Sequence, residues 1–446
     1  MMPTPSSQKT ICVFACRWCA LLGAERAGRE RLSLPPAIRL MPVPCAGGVS
    51  LDAVIQAFAA GAEGVAVLGC HLGGCRHNDA NRDAHARLVA LADLLAVVGV
   101  DPRRLLISWG TAHEAGQYAA LVNAFAAQLR DALPLPEFFH CPKSQAEAQA
   151  AGAPAEAMSI GLACNAPGQD AELQAQAARV LEKGHALLAL ARVGDAVIPG
   201  LFTTSGALAG LVAGPKYPMA KLAGVMLRER ARHALMPRGP HQALRAQALT
   251  LHDKGLGIAC RPCDARALYQ MAALRQFPRE ALELVPIACS AEQQAACRCQ
   301  RPHWPGTEQA REPLPEETGA AGGAWREHFS RCVQCHWCRS ACPVCVCPEC
   351  VLDDPASMPS GGETPSPLAY HLARALHVAD ACVQCGACQD ACPQGLPLLE
   401  LHQSVARSLS RQGYLSGEGM ASPLRAGRRK TAAPQWLSSL KGGLSA

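Results

Sequence analysis

The sequence predicts an α/β protein with an N-terminal open parallel sheet, a second α/β segment and a cysteine-rich C-terminal segment. Three observations lead to this prediction. Short apolar runs alternate with helical patterns over residues 8–135, which is the order that a parallel sheet requires. The alternation resumes over residues 161–305. Over residues 325–412, cysteines recur at short spacing in two nearly identical strings.

The N-terminal part contains four apolar runs with the composition of strands. They are residues 10–16, 38–45, 64–70 and 105–110. Between them, apolar residues recur at helical spacing, which predicts helices over residues 50–60, 79–98 and 113–130. Ser50 is the expected N-cap of the first of these helices. The order of elements indicates a flavodoxin-like open sheet.

Five cysteines are predicted to meet at one edge of this sheet. Cys16, Cys45 and Cys70 each end a predicted strand, and Cys19 and Cys75 follow shortly after. In an open parallel sheet, ligands bind at the carboxyl ends of the strands. We therefore expect these thiols to form a metal centre.

Four further residues of this part have other predicted roles. Cys12 lies in mid-strand and is expected to be a small buried core residue. His71, His77 and His85 adjoin the metal-binding cysteines. We interpret them as residues that tune or cap the metal site, since no constellation of a general acid, a base and a nucleophile surrounds them.

Residues 10–130 contain the strings CRWCALLGAERAG, PPAIRLMPVPCAGG, EGVAVLGCHLGGCRHNDAN and DPRRLLISW. In these strings the segment resembles the delta subunit of methyl-viologen-reducing hydrogenase, a small iron-sulfur protein that passes electrons to heterodisulfide reductase. It implies a 2Fe-2S cluster held by four of the five cysteines at the sheet edge. Which cysteine is the spare one stays open.

The middle segment is predicted to contain helices over residues 170–191 and 217–234, and strands over residues 196–202 and 256–259. Its strings CRPCDARAL, LELVPIAC and ACRCQRPHW resemble the beta-subunit family of deazaflavin-dependent hydrogenases and formate dehydrogenases. That resemblance covers roughly residues 170–400 and implies that FAD can be bound, although no G-x-G-x-x-G follows a strand. A further metal site, structural thiols or a redox-active pair are all open for Cys260, Cys263, Cys289, Cys297 and Cys299.

The two C-terminal strings, CVQCHWCRSACP and CVQCGACQDACP, have the cysteine spacing of a two-cluster bacterial ferredoxin. The predicted ligands of two 4Fe-4S clusters are Cys332, Cys335, Cys338, Cys342, Cys382, Cys385, Cys388 and Cys392. In this pattern, three cysteines of one string share a cluster with the last cysteine of the other. Structural zinc is the competing interpretation. The roles of Cys345, Cys347 and Cys350, which lie between the strings, stay open, and a short helix is predicted over residues 368–379.

Composition predicts how the chain is divided. Linkers rich in Pro, Ala, Gly or Glu are expected at residues 136–160 and 306–324, and a basic tail at 413–446. Cys141, in the first linker, has no predicted role. Neither an export signal nor an apolar run long enough for a membrane span is found, so a cytoplasmic protein with free or metal-bound thiols is expected. The net charge of +6 would be offset by bound clusters, and nucleic-acid binding is not expected.

These patterns predict an iron-sulfur electron-transfer subunit, an electron-carrying component of an oxidoreductase complex. The resemblances imply that it relays electrons between a hydrogenase- or formate dehydrogenase-type donor and a heterodisulfide-reductase-like acceptor, with other redox subunits as partners. The alternative is a flavin-containing oxidoreductase that takes hydride from a soluble cofactor and passes single electrons to its clusters. A structural protein filled with zinc is the third interpretation.

Overall fold

The computed structural model of the chain describes a defined set of residues. They are residues 10–72, 74–77, 80–110, 114–135, 169–214, 216–233, 235, 241–305, 322–347, 350–353, 366–379 and 381–412. The predicted linker 136–160, with Cys141, and the predicted basic tail 413–446 lie outside the described residues, as does most of the second linker.

The N-terminal sheet is open and entirely parallel, as predicted. Its strands are β1 (Ile11–Cys16), β2 (Ile38–Val43), β3 (Gly64–Gly69) and β4 (Leu105–Trp109). They run in the order β2-β1-β3-β4, which is the flavodoxin-like order. The central strands β1 and β3 are buried along their whole length, because helices cover both faces of such a sheet.

The helices of this domain are α1 (Ala20–Arg29), α2 (Leu51–Ala59), α3 (Ala80–Val97) and α4 (Ala115–Arg130). Three of them agree with the predicted helices to within two residues at each end. The Ser50 hydroxyl caps α2 by accepting a hydrogen bond of 3.1 Å from the Ala53 amide. Helix α1 was not predicted, because Gly23 and Gly28 weaken the helical propensity of its sequence.

The second sheet is mixed. Its strands are β5 (Ala186–Val193), β6 (Ala196–Phe202), β7 (Leu211–Val212), β8 (Leu256–Cys260) and β9 (Glu283–Pro286). The main order is β6-β5-β8-β9, with β7 also pairing with β5. The β5-β8-β9 part is parallel, whereas β6 and β7 are antiparallel to β5.

One helix prediction for this segment is wrong over its second half. The helix predicted over residues 170–191 ends at Glu182, and residues 186–193 form the inner strand β5. Gly184 has a left-handed backbone with φ of +77° and separates the two elements. The run ALLALARV is apolar over most of its length, and periodicity does not distinguish a buried strand from a buried helix.

The helices of the middle segment surround this sheet. They are α5 (Gln169–Glu182), α6 (Met219–Arg232), α7 (Gln242–Thr250), α8 (Pro262–Ala273) and α9 (Ala291–Ala296). The cysteine-rich segment adds α10 (Gly322–Ser330), α11 (Trp337–Ser340), α12 (Pro367–Val378), α13 (Ala387–Asp390) and α14 (Leu398–Arg411). Helix α12 is the short helix predicted between the two cysteine strings.

The N-terminal sheet domain and the C-terminal helices share one hydrophobic core. Helix α2 packs against α12, and α3 packs against α14, so that Leu91 of α3 and Leu409 of α14 belong to the same buried cluster. At the rim, His377 and Asp52 form an ion pair of 3.0 Å. This shared core was not predicted from the sequence, because residues so far apart along the chain carry no local signal of their contact.

We expect Leu409→Ala to lower the free energy of unfolding by about 2–5 kcal/mol, because it leaves a cavity in the shared core. Leu409 is fully buried. The matched control is Leu22→Ala in α1, where the side chain is 40% exposed and the loss should be within about 0.5 kcal/mol. Urea unfolding of the anaerobically purified full chain measures both. Equal effects of the two substitutions would contradict the shared core.

Candidate metal centres

The five N-terminal cysteines converge at the carboxyl edge of the parallel sheet. Cys16 ends β1, Cys19 is the N-cap of α1, and Cys45 and Cys70 follow β2 and β3. The Sγ atoms of Cys16 and Cys70 are 3.8 Å apart, and those of Cys45 and Cys75 are 3.6 Å apart. The structure therefore brings all five predicted thiols into one cluster.

This cluster is the tightest set of donors in the structure. The Sγ atoms of Cys16, Cys19 and Cys70 all lie within 4.8 Å of one another, and in the described part of the chain no other three His, Cys, Asp or Glu donors do so. Around a tetrahedral metal with bonds of about 2.3 Å, sulfurs stand about 3.8 Å apart. Two thiol pairs at this spacing fit two adjacent metal ions.

The loop that carries Cys45 is held against α3 without room for a side chain. The Cys45 Sγ atom accepts a hydrogen bond of 3.3 Å from the Gly47 amide. A Cβ atom on Gly47 would come within 2.6 Å of the Ala80 Cβ. Arg87, which is buried, donates a bond of 2.7 Å to the Gly47 carbonyl. Glycine at this position therefore sets where the Cys45 thiol lies.

The loop after β3 is fixed by a buried amide. The Asn81 Nδ2 atom donates bonds of 3.0 Å and 2.8 Å to the carbonyls of Cys70 and His71. The Arg76 guanidinium lies over the Trp18 ring, 4.2 Å from its centre, so a cation stands beside the cysteine-bearing loops. The positions of both loops are thus determined by hydrogen bonds and stacking.

The clustered thiols strongly perturb one another's ionisation. Hydrogen bonds from the thiols of Cys19 and Cys45 lower the pKa of Cys16, and the same contacts raise the pKa of Cys19 and of Cys45. One thiolate is thus stabilised by its protonated neighbours, and further ionisation needs a compensating cation. A metal centre supplies that charge, so the donor set fits one.

Cys12 and the three histidines lie around this cluster. Cys12 is fully buried in the core, which confirms its prediction, and burial raises its pKa to about 12. His85 is hydrogen-bonded through Nδ1 to the Trp109 indole at 2.9 Å. The His71 ring packs against Gly110, where the backbone has φ of +88°. The roles predicted for His71, His77 and His85 stay predictions.

The two C-terminal cysteine strings form loops of the same shape. Gln334 and Gln384 occupy the same place in the two loops and have left-handed backbones with φ of 52° and 54°. His336 and Gly386, two residues later in each loop, are also left-handed. Burial raises the pKa of Cys332 to about 12, while a bond from the Gln334 amide acts in the opposite direction. Gln384 makes the same contact in the second loop. Backbone amides thus point at sulfur in both loops.

Electrostatic interactions link the eight predicted ligands in two groups, and the crosswise ligand pattern stays a prediction. The thiols that act electrostatically on Cys332 are those of Cys338, Cys392 and Cys335. In the second group, Cys342 interacts with Cys382, Cys385 and Cys388. We call the set Cys332, Cys335, Cys338 and Cys392 the first cubane set, and the set Cys342, Cys382, Cys385 and Cys388 the second cubane set.

A buried arginine lies between the two cubane sets. Arg374 of α12 is 1% exposed and donates a bond of 2.9 Å to the Cys338 carbonyl. Burial opposes its charge, but the thiols of Cys338 and Cys342 raise the pKa of Arg374 well above its usual value. This residue was not predicted, because nothing local distinguishes a helical arginine that faces a metal site from one that faces solvent.

Of the three extra cysteines in the C-terminal segment, Cys345 lies next to the second cubane set. Burial raises the pKa of Cys345 to about 12, and repulsion from Cys342 and Cys350 adds to it. Cys347 is exposed. In the middle segment, Cys260 is buried at the end of β8, and the other four cysteines line one pocket.

Comparison with known proteins identifies the N-terminal domain. Residues 11–132 match the family model described as methyl-viologen-reducing hydrogenase, delta subunit. An iron-sulfur subunit of the F420-non-reducing hydrogenase from Archaeoglobus profundus is 37% identical over 120 residues, which are 27% of this chain and 87% of that protein. The chain belongs to the methyl-viologen-reducing hydrogenase delta-subunit family. As a member of this family, it extends well beyond the delta-subunit domain.

Two longer relatives are similar to this chain over a smaller share of their own length. A subunit of the CoB-CoM heterodisulfide reductase from Methanosarcina acetivorans is 32% identical over 125 residues, 28% of this chain and 16% of that protein. The beta subunit of a formate dehydrogenase from Methanocaldococcus jannaschii is 34% identical over 94 residues, 21% of this chain and 25% of that protein. Beyond the delta-subunit domain, residues 376–396, which contain the second cysteine string, match a 4Fe-4S binding domain, and this confirms 4Fe-4S binding for that string. None of the described helices has both the length and the apolar character needed to cross a membrane.

We expect Gly47→Ala to abolish the N-terminal metal centre, because the new Cβ would clash with the backbone of Ala80, 2.7 Å away. Gly48→Ala is the matched control, since a Cβ there meets no atom within 4 Å. Iron analysis and electron paramagnetic resonance of the anaerobic proteins should show a loss of about two irons in the first variant alone. An unchanged signal in Gly47→Ala would contradict the assigned role of this loop.

Proposed function

We propose that this chain is an electron-transfer subunit that relays electrons through three iron-sulfur centres. Its donor would be a hydrogenase- or formate dehydrogenase-type protein and its acceptor a heterodisulfide-reductase-like protein. When bound, iron-sulfur clusters accept and release single electrons. The observation that carries the proposal is helix α12, which contacts the first cubane set at one end and the delta-subunit domain at the other.

The N-terminal cysteines are proposed to hold a 2Fe-2S cluster. We assign Cys16 and Cys70 to one iron and Cys45 and Cys75 to the other, because each pair has the sulfur spacing of a single tetrahedral metal. Cys19 is then the spare thiol. It is buried at the start of α1 and contacts Cys16, so it would support the site without binding iron.

The two cubane sets are proposed to hold 4Fe-4S clusters. Their thiols are spaced more widely than those of the N-terminal cluster, as expected when each cysteine binds a different iron. The surroundings offer donors to such a group: the Nε atom of Arg374 and the Nδ1 atom of His371 are buried and have no hydrogen-bond partner within the described residues. His371 also lies 3.3 Å from the Cys332 thiol through Nε2.

The contacts of helix α12 support an order for the proposed centres. Tyr370 and His371 near its start contact the Cys338 and Cys332 thiols. Further along the helix, His377 pairs with Asp52 in the first turn of α2, and α2 starts just after the Cys45 loop. The first cubane set is therefore the one that α12 connects to the delta-subunit domain. The packing of α12 and the shared core hold these contacts together.

Substitution of single cysteines should separate the centres. We expect Cys70→Ser to remove about two irons and the 2Fe-2S signal alone, and Cys388→Ser to remove about four irons and one cubane signal alone. Both variants should lose electron transfer between a reduced donor and an acceptor, because either substitution interrupts the series of carriers. Iron and sulfide analysis with electron paramagnetic resonance measures the first effect, and stopped-flow reduction measures the second.

Two further variants serve as controls for these substitutions. Cys19→Ser should keep the 2Fe-2S signal, and Cys12→Ala should keep every cluster at a cost of about 1–2 kcal/mol in stability. If Cys12→Ala removed the 2Fe-2S signal while Cys70→Ser kept it, the ligands would not lie at the strand ends. Wild-type protein that held zinc in place of iron after strict exclusion of oxygen would contradict the whole proposal.

A second candidate function is a flavin-containing oxidoreductase, and one cavity favours it. This cavity has a volume of about 330 Å³ and lies at the carboxyl edge of β8 and β9, where Gln176, Gln294, His303 and Trp304 line it. Its size and its mixed apolar and polar lining are typical of cofactor sites. Cys289 lies in its wall, so electrons from a bound flavin would enter the chain at the middle segment.

Flavin binding is expected to be measurable without any partner. Anaerobic protein is incubated with FAD, and the unbound FAD is removed. The flavin that stays bound is then released from the protein with acid and quantified. We expect Trp304→Ala to lower retention at least tenfold if the cavity is the site, because it removes the largest aromatic surface in the wall. Wild-type protein that retains no FAD excludes this function and leaves the relay proposal intact.

A further inference from the structure

The middle segment contains a cysteine pocket that the three centres above do not use. Its thiols come from separate elements: Cys263 is at the start of α8, Cys289 follows β9, and Cys297 and Cys299 follow α9. Four thiols thus face one pocket although they come from three separate parts of the segment. The pocket is narrow, with a cavity volume of about 20 Å³, so its thiols lie close around a small space.

These thiols lie near one another. Cys263 and Cys299 are within hydrogen-bonding distance, and Cys289 interacts electrostatically with both Cys299 and Cys297. Cys263 is 7% exposed, so its thiol faces the pocket rather than solvent. Four convergent thiols match the usual number of cysteine ligands of an iron-sulfur cluster.

Cations surround the pocket and would stabilise thiolates in it. The Lys216 ammonium donates a bond of 3.0 Å to the Cys297 thiol. Arg266 lies 3.5 Å from the Cys299 thiol, and Arg261 contacts Cys289. Purely structural thiols are neutral and need no such partners, whereas metal-bound thiolates are negative and do.

The spacing of the thiols distinguishes a cluster from a zinc ion. Sulfurs around one zinc stand about 3.8 Å apart, but no three of the four described thiols lie within 4.8 Å of one another. The same wider spacing holds in the two cubane sets. The described thiols therefore do not form the closed set of three or four sulfurs that a single zinc ion needs.

The pocket adjoins the second cubane set. Besides its bond to Cys297, Lys216 donates to the Cys385 carbonyl at 2.9 Å and to the Asp390 carboxylate at 2.8 Å. Arg298, between Cys297 and Cys299, packs so closely on Gly386 that a Cβ there would come within 2.4 Å of it. Cys263 and Cys385 belong to one small apolar cluster. A centre in this pocket would be next to the second cubane set.

We propose that Cys263, Cys289, Cys297 and Cys299 hold a third 4Fe-4S cluster, placed to exchange electrons with the second cubane set. This inference rests on the proposed function, because it adds a carrier at the end of the same relay. Lys216 is a positioning residue of the junction: it ties the pocket to the Cys385 loop. Cys260, three residues before Cys263, is buried at the end of β8 and does not line the pocket.

Iron, sulfide and zinc are quantified in the anaerobically purified full chain and in three variants. We expect about fourteen irons in the wild type, the sum of one 2Fe-2S and three 4Fe-4S clusters. Cys299→Ser and Cys289→Ser should each lose about four irons and keep the 2Fe-2S signal. Cys260→Ser, the matched control from the same strand end, should keep all of the roughly fourteen irons. Two pocket variants are used so that the result does not depend on a single substitution, and both cysteines are only partly buried.

The outcomes separate this inference from the proposal on which it rests. About ten irons in the wild type, unchanged in both pocket variants, would overturn the third cluster and leave the relay of three centres standing. One zinc per chain that disappears in Cys299→Ser would also overturn it. A disulfide between Cys263 and Cys299 in the anaerobic protein would do the same. A wild type with two irons or fewer would instead contradict the proposed function itself.

Discussion

The clustering of thiols is the constraint on which the rest of this structure depends. Bringing four or five thiols together is unfavourable unless positive charge and amide dipoles compensate for the thiolates. The protein meets this requirement in a different way at each place. At the sheet edge, Gly47 offers its amide to Cys45. In the C-terminal loops, left-handed positions turn amides toward sulfur, and Arg374 lies buried between the two cubane sets. Lys216 supplies positive charge at the middle pocket.

The two kinds of site follow from two kinds of backbone. A parallel sheet collects cysteines from strand ends that are far apart in sequence, so its thiols can approach closely and suit a small centre. A compact loop with cysteines every third residue spreads its thiols around a larger one. Packing then joins these units, since α12 and α14 complete the hydrophobic core of the delta-subunit domain. The C-terminal segment is therefore a structural partner of that domain as well as a cluster-binding segment.

Sequence patterns were sufficient where structure is local. The strands of the first sheet and the cap at Ser50 follow from periodicity and from the preference for Ser at helix starts. Sequence patterns did not predict strand β5, because a continuous apolar run has no periodicity that distinguishes a strand from a helix. They also did not show the core shared by α3 and α14, nor the contacts of Arg374 and Lys216, which arise only when distant segments pack. The role of the four-cysteine pocket could not be predicted for the same reason, since its thiols come from three separate parts of the middle segment.

The contacts support one order for the proposed relay. Lys216 ties the middle pocket to the Cys385 loop of the second cubane set, and Arg374 lies between that set and the first. Helix α12 then connects the first set to the delta-subunit domain. The middle pocket and the sheet edge are consequently the two ends of the series. A donor and an acceptor that dock at opposite ends would not compete for one surface, and electrons between them would have to pass through both cubane sets. In one folded chain with a shared core, this order does not depend on the association of separate subunits.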